Sequence, residues 1–244
     1  MLYSIFLWAK KEKGARLIET NRFINKFIFP IIIMSQSLNL DAVVYFPIAR
    51  FLNKSLAIPH FSVKDISKIS PENLKEQGFK GLVFDKDNTL TAPYVNEVYH
   101  TIVEAFQQYQ SIYGNQMIIM SNSAGTLDDK GYEDATQIEK DLGIPVLRHN
   151  RKKPGGINSV LEYFDCKPEE LVMFGDRIFT DIVFGNRYKM LTVHTALLTE
   201  ERDNKAAAKV RKYELPLVKS WIESGKTAPT HPLYSSEICL EKLL

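Results

Sequence analysis

The sequence is poor in cysteine and in long apolar runs. Its two cysteines, Cys166 and Cys239, lie far apart, and neither belongs to a C-x-x-C pair or a histidine-containing ligand pattern. Neither a disulfide framework nor a zinc site is therefore supported. No apolar run reaches the roughly 20 residues that a membrane-spanning helix needs. The longest, FIFPIIIM at residues 27–34, contains Pro30, so we expect no spanning helix.

The chain also has little net charge. Its 31 Lys and Arg residues against 29 Asp and Glu residues leave +2. This balance, together with the lack of a basic aromatic groove, argues against a nucleic acid partner. The positive excess is at the N-terminus, where residues 1–33 contain two acidic residues and the basic residues Lys10, Lys11, Lys13, Arg16, Arg22 and Lys26.

We predict an N-terminal arm over residues 1–60 that acts as a targeting or membrane-surface segment. Basic and apolar residues alternate there, as in helices that lie at a membrane surface. Within residues 38–56, apolar residues could line one side of a helix interrupted by Pro47. The alternative is that these segments are helices that pack on the domain.

From Gly81 onward, strand-like and helix-like segments alternate. The short apolar runs are GLVF, MIIMS, LVMFG and MLTVH, and helical spacing covers residues 98–113, 132–142, 156–164 and 179–188. Such alternation predicts a doubly wound α/β fold with a buried parallel sheet. We assign residues 61–225 to this domain and residues 226–244 to a C-terminal tail.

Polar side chains follow three of these predicted strands. Asp85, Asp87 and Thr89 follow the first, Ser121 and Asn122 follow the second, and Asp176, Arg177 and Asp181 follow the third. Lys152 and Lys153 precede a Pro-Gly-Gly helix entry between the last two groups. Since ligands of open α/β sheets bind at the carboxyl ends of the strands, we expect these groups to form one site.

The order of these motifs resembles the haloacid dehalogenase superfamily of phosphotransferases. The resemblance covers about residues 81–193 and rests on D-x-D-x-T, a strand ending in Ser, a lysine and G-D-x-x-x-x-D. It implies Asp85 as the nucleophile, Asp87 as the general acid and base, and Ser121, Asn122 and Lys153 as phosphate ligands. It also implies a Mg²⁺ site formed by Asp85, Asp176, Asp181 and the backbone carbonyl near Asp87.

Longer strings narrow the resemblance. FDKDNTL, MSNSAG, GIPVLRHNRKKPG and GDRIFTDI are similar to the mitochondrial phosphatidylglycerophosphate phosphatases. Members of that family remove the terminal phosphate to give phosphatidylglycerol for cardiolipin synthesis. A capless phosphatase for a soluble or protein phosphomonoester remains one alternative. A non-catalytic membrane-associated scaffold is another.

The spacing leaves no room for a separate cap domain. About thirty residues separate Asp87 from Ser121, and a similar number separates Ser121 from Lys153. An open site would admit a lipid head group, and Arg148, Lys152, Lys153 and Arg177 could meet anionic lipid phosphates. We therefore expect an anionic phospholipid substrate at a membrane surface. We also expect a peripheral location on the matrix side of the mitochondrial inner membrane, with a plastid as the alternative; the oligomeric state cannot be predicted.

Overall fold

A computed structural model describes residues 40–235, and its centre is a five-stranded parallel sheet. The strands lie in the order β1-β5-β4-β2-β3, and every neighbouring pair is parallel. Their bounds are β1 Phe61–Val63, β2 Gly81–Phe84, β3 Met117–Ile119, β4 Leu171–Gly175 and β5 Leu191–Thr195.

Helices connect and flank these strands. The α-helices are α1 Leu40–Pro47, α2 Pro71–Glu76, α3 Val103–Tyr113, α4 Glu133–Leu142, α5 Ile157–Phe164, α6 Val183–Arg187 and α7 Lys205–Glu223. Two π-helical turns span Ile48–Leu52 and Ile178–Ile182. Short 3₁₀ turns span Lys54–Ala57, Ile66–Lys68, Gly114–Gln116, Lys130–Tyr132 and Pro168–Glu170.

The sheet has a separate apolar cluster on each face. Leu82 and Phe84 of β2 point to the cluster that contains α3 and α4, whereas Val83 points to the cluster that contains α5 and α6. Both faces are thus covered, which is why the central strands are continuous apolar runs. The predicted doubly wound parallel fold is confirmed, and within residues 40–235 no cap domain interrupts it.

A third apolar cluster joins the N-terminal segment to α7. Ala49 and Ala57 pack there with Phe179 of the second π-turn and with Trp221 of α7. Segments on either side of residue 60 therefore share one core, as the packing alternative expected. The domain boundaries at residues 60 and 226 stay predictions.

The predicted N-terminal arm and C-terminal tail extend into the ends of the chain, which the structure does not describe. Residues 1–39, with the basic part of the predicted arm, and residues 236–244 of the predicted tail lie outside the described residues. Among residues 40–235, no helix combines the length and apolar character needed to span a bilayer.

Candidate active site

The site lies where β2 and β4 end, side by side. Phe84 pairs with Phe174, and the Asp85 amide donates a hydrogen bond of 2.9 Å to the Phe174 carbonyl. Asp85 and Asp176 therefore follow adjacent strands at the same edge of the sheet. Asp181, in the π-turn Ile178–Ile182, completes a buried group whose nearest oxygens lie within 4.8 Å of one another.

Gly175 lets this turn fold back onto β4. A Cβ atom at position 175 would lie 2.5 Å from Asp181 Oδ2 and 2.4 Å from Asp181 Cβ. Those distances are much shorter than van der Waals contact, so any side chain at position 175 would clash with Asp181. The glycine of the G-D-x-x-x-x-D motif thus brings Asp181 close to Asp176.

Lys153 lies between two of the aspartates. Its Nζ is 2.6 Å from Asp85 Oδ1 and 2.8 Å from Asp181 Oδ1, and its side chain is fully buried. The Asn122 side chain fixes the lysine backbone, since Asn122 Oδ1 accepts from the Lys153 amide at 2.7 Å and Nδ2 donates to its carbonyl at 3.3 Å. The loop after β3 therefore positions the lysine.

Burial and charge act against each other in this cluster. Burial raises the pKa of Asp85 above its ordinary value, against the opposing charge of Lys153. Burial likewise raises the pKa of Asp176 to about 7. Burial alone would also raise the pKa of Asp181, but Lys153 and Arg177 hold it below its ordinary value. The site thus needs positive charge to keep all three carboxylates ionised.

The acidic group fits a small divalent cation. Three carboxylates are the hard oxygen donors that Mg²⁺ prefers, and three protein ligands leave room for water and a phosphate oxygen. Asp176 Oδ1 is buried and lacks a hydrogen-bond partner within the described part of the chain. Such an oxygen is costly unless it has a ligand, so a metal site is compatible with the residues present.

Asp87 lies apart from this acidic group. Its side chain is half-buried, and Oδ1 accepts hydrogen bonds from Lys86 Nζ at 2.8 Å and from the Tyr94 amide at 3.3 Å. The structure therefore separates the two carboxylates of the DKD motif into a buried and a more accessible one. The predicted metal contact near Asp87 stays a prediction.

Ser121 lies at the end of β3 in a hydrogen-bonded turn. Its Oγ accepts from the Ser123 amide at 3.1 Å, and its carbonyl oxygen is 2.9 Å from His149 Nε2. Since His149 Nδ1 is also 2.7 Å from the Arg151 carbonyl, this histidine links the β3 loop to the loop that leads to Lys153. The phosphate-binding roles of Ser121, Asn122 and Lys153 stay predictions.

Two cations that the sequence suggested for lipid contact are engaged elsewhere. Arg148 Nη2 donates to Glu139 Oε2 at 2.9 Å, and Arg148 Nη1 donates to the Val146 carbonyl at 2.6 Å. Lys152 Nζ lies 2.6 Å from Asp128 Oδ2. Both side chains help to hold the loops around the site.

The sequence analysis missed the groups that α7 brings to the site. Arg211 donates to Asp176 Oδ2 from Nε at 3.0 Å and from Nη2 at 2.6 Å. Glu214, also buried, accepts a hydrogen bond of 3.3 Å from the Phe179 amide at the start of the turn that carries Asp181. The signal was a helical stripe, because Arg211, Glu214, Val218 and Trp221 recur at spacings of three and four and all are buried.

Comparison with known proteins gives one family. The family model described as mitochondrial PGP phosphatase matches residues 43–197. The chain is 40% identical to the chloroplastic/mitochondrial phosphatidylglycerophosphate phosphatase 1 of Arabidopsis thaliana, over 83% of this chain and 59% of that protein.

Two further relatives agree. The chloroplastic phosphatidylglycerophosphate phosphatase 1 of Chlamydomonas reinhardtii is 45% identical, over 74% of this chain and 68% of its own length. The mitochondrial phosphatidylglycerophosphatase of Saccharomyces cerevisiae is 35% identical, over 63% of this chain and 81% of its own length. The chain thus spans somewhat more than half to four fifths of these relatives.

Proposed function

This chain belongs to the mitochondrial PGP phosphatase family, and we propose that it hydrolyses the terminal phosphomonoester of phosphatidylglycerophosphate to phosphatidylglycerol. The observation that carries the proposal is the buried group of Asp85, Asp176 and Asp181 with Lys153 Nζ between two of its members. Phosphomonoesters hydrolyse extremely slowly in water, so catalysis needs a positioned nucleophile and neutralisation of phosphoryl charge. This group has the side chains for both.

Asp85 is the proposed nucleophile. A carboxylate oxygen of Asp85 attacks phosphorus, the aspartyl oxygen–phosphorus bond forms, and the phosphorus–oxygen bond to the glycerol breaks. Asp87 gives its proton to the departing glycerol oxygen. The accessible position of Asp87 supports this role, because the leaving group must remain in contact with solvent and with the rest of the lipid.

The second half of the reaction restores the enzyme. Asp87, now ionised, takes a proton from water as the water oxygen attacks phosphorus and the bond to Asp85 breaks, which releases inorganic phosphate. Lys153 and the Ser121 hydroxyl bind the phosphoryl oxygens throughout, and Asn122 holds the Lys153 backbone in place. Each proton and each phosphorus–oxygen bond is thereby accounted for.

Mg²⁺ is the proposed cofactor, held by Asp85, Asp176 and Asp181 with the backbone carbonyl near Asp87. When bound, it would neutralise phosphoryl charge and act as a Lewis acid on a phosphoryl oxygen. The unpartnered Asp176 Oδ1 supports a ligand at this position.

The names of the relatives, which are mitochondrial, chloroplastic or both, support a mitochondrion or a plastid as the location. We place the chain at the surface of the inner mitochondrial membrane, on the matrix side, with an anionic phospholipid as substrate. Carbonate extraction and protease protection of isolated mitochondria test that position. Release by carbonate and protection until the inner membrane is opened are the expected results.

The reaction is tested in mixed micelles. Purified protein with Mg²⁺ is expected to release phosphate from phosphatidylglycerophosphate in preference to sugar phosphates and phosphopeptides. Asp85→Asn removes the nucleophile and should lower the rate by at least ~10³-fold. Equal rates on all three substrate classes would instead favour a general phosphatase, and equal behaviour of wild type and variant would contradict catalysis at this site.

A further inference from the structure

Arg211 reaches the site from α7, beyond the residues 43–197 that match the family model. Its guanidinium makes two hydrogen bonds to Asp176 Oδ2, at 3.0 and 2.6 Å. It also contacts Asp203 twice, through Nη1 to Oδ2 and through Nη2 to Oδ1, the latter at 3.2 Å. The side chain is buried, with only 8% of the residue exposed.

These contacts give the two oxygens of Asp176 different surroundings. Oδ2 accepts both hydrogen bonds from Arg211, whereas Oδ1 is buried without a partner among the described residues. A planar guanidinium that donates to one carboxylate oxygen fixes the rotation of that carboxylate. We infer that Arg211 is a positioning residue, which holds Asp176 by Oδ2 and thereby presents Oδ1 to a divalent cation; the inference rests on the metal site of the proposed function.

A hydrogen-bonded network through Asp203 and Asn88 supports Arg211. Asn88, in the DKDNT motif, accepts a hydrogen bond of 3.1 Å from the Thr199 amide and donates one of 3.5 Å to Asp203 Oδ1. The loop after β5 is thereby tied to the loop that follows the proposed nucleophile. Asp203 therefore orients Arg211 while Arg211 orients Asp176.

The same contacts argue against a direct role of Arg211 on substrate. Nε, Nη1 and Nη2 all donate to Asp176 and Asp203. A phosphate ligand must lie beside the nucleophile, as Lys153 does through its contact with Asp85, whereas the carboxylates that Arg211 contacts are not the nucleophile. We therefore expect loss of Arg211 to weaken metal binding and to leave substrate binding largely unchanged.

The test compares Arg211→Met with Arg211→Lys, Asp203→Asn and the control Lys212→Met, which removes an exposed cation from the same helix. Mg²⁺ binding is measured without substrate from the rise in melting temperature as Mg²⁺ is titrated. Mg²⁺ dependence and apparent KM are then measured with phosphatidylglycerophosphate in mixed micelles. Loss of a group that orients a metal ligand typically lowers metal affinity 10–100-fold.

We expect Arg211→Met to raise the half-saturating Mg²⁺ concentration by about 10–100-fold in both titrations, with apparent KM at saturating Mg²⁺ changed less than about twofold. Arg211→Lys and Asp203→Asn should give smaller shifts in the same direction, and Lys212→Met should match wild type. If Arg211→Met has the same half-saturating Mg²⁺ concentration as wild type, the inference is overturned. A raised KM with unchanged Mg²⁺ dependence would also overturn it, because Arg211 would then act on substrate.

Folding is checked by circular dichroism. If Arg211→Met does not fold, Arg211→Lys and Asp203→Asn provide the test. Unchanged Mg²⁺ binding in both of these variants overturns the inference. Wild-type protein that shows no Mg²⁺ shift overturns the metal site and the inference together. If the Mg²⁺ shift and its loss in Arg211→Met are both present but phosphatidylglycerophosphate is not hydrolysed, the inference holds and the proposed substrate is wrong.

Discussion

At the scale of single residues, the buried site nearly balances its charges. Four carboxylates lie near three cations; the seven residues are Asp85, Asp176, Asp181, Asp203, Lys153, Arg177 and Arg211. When all seven are ionised their net charge is −1, so a bound divalent cation changes it to +1 and thereby attracts a phosphate dianion. We therefore expect Mg²⁺ and phosphate to favour each other's binding.

Glu214 is a buried acid that this balance does not include. Burial raises its pKa to about 7, and its Oε2 has no hydrogen-bond partner among the described residues. An acid whose pKa is higher in the folded than in the unfolded state binds more protons when folded. The stability that it contributes is therefore present at low pH and is lost as pH rises from the unfolded pKa, near 4.5, to about 7.

Glu214→Gln should remove this pH dependence. We expect the free energy of unfolding of wild type to fall relative to that of the variant between about pH 5 and pH 7, by about 3 kcal/mol at most. Urea unfolding in EDTA at several pH values measures the difference. Contributions from Asp176 and Asp85 are common to both proteins and cancel. Glu223→Gln, at an exposed position on the same helix, is the control, and parallel curves for wild type and Glu214→Gln would contradict the prediction.

At the scale of elements, the sequence predicted the parts whose pattern is strong. The runs GLVF, MII, LVMFG and LTVHT are strands whose residues are buried on both faces except for half-buried His194. Four predicted helices begin within five residues of their observed starts at 103, 133, 157 and 183. The edge strand β1 was missed because its three residues, Phe-Ser-Val, form neither an apolar run nor a pattern long enough to show a period of two.

Helix α7 was missed for a different physical reason. It contains Pro216, which normally argues against a helix interior, and its buried stripe contains the charges of Arg211 and Glu214. Charged residues at helical spacing in a sequence usually indicate a solvent-exposed helix face. The proximity of Asp85, Asp176, Asp181 and Lys153 could be predicted from strand ends, whereas the contacts from α7 depend on how the helix packs back onto the sheet.

The C-terminal part of α1 packs directly on the π-turn that carries Asp181. Phe46 contacts Phe179 edge to face, with ring centroids 4.5 Å apart. Arg187 lies 3.7 Å from the Tyr45 ring centroid and donates to the Pro154 carbonyl at 2.9 Å. The N-terminal segment thus supports both the Asp181 turn and the loop that carries Lys153.

Phe46→Ala should therefore affect both stability and metal binding. We expect the free energy of unfolding to fall by about 2 kcal/mol, because an aromatic contact and part of its buried area are lost. The half-activating Mg²⁺ concentration should rise, since the Asp181 turn loses its support. Urea unfolding and Mg²⁺ titration of activity measure the two effects.

Leu52→Ala is the matched control, because Leu52 lies on the same segment with 65% of the residue exposed. It should change stability by less than about 0.5 kcal/mol. If both variants lose the same stability, or if Phe46→Ala leaves Mg²⁺ dependence unchanged, the segment does not support the turn.

At the scale of the whole molecule, the N-terminal segment has two separable parts. Residues 44–58 belong to the described fold and pack near the site, whereas the basic excess of +4 lies within residues 1–33. A deletion up to residue 56 would remove both parts and would confuse membrane binding with damage to the site. Residues 1–39 are therefore the segment to remove.

Deletion of residues 1–39 should weaken binding to anionic vesicles and spare the chemistry. Each basic residue near an anionic surface contributes about 1 kcal/mol, so we expect binding to phosphatidylglycerol vesicles to weaken more than about tenfold. The rate of Mg²⁺-dependent hydrolysis of soluble p-nitrophenyl phosphate should stay within about twofold of wild type, because the packed residues 44–58 remain.

A second variant separates the effect of charge from that of apolar contact. It is the full-length protein with Lys10, Lys11, Lys13, Arg16, Arg22 and Lys26 changed to Gln. If both altered proteins float with anionic vesicles as well as wild type does, the prediction that the arm contacts the membrane is wrong.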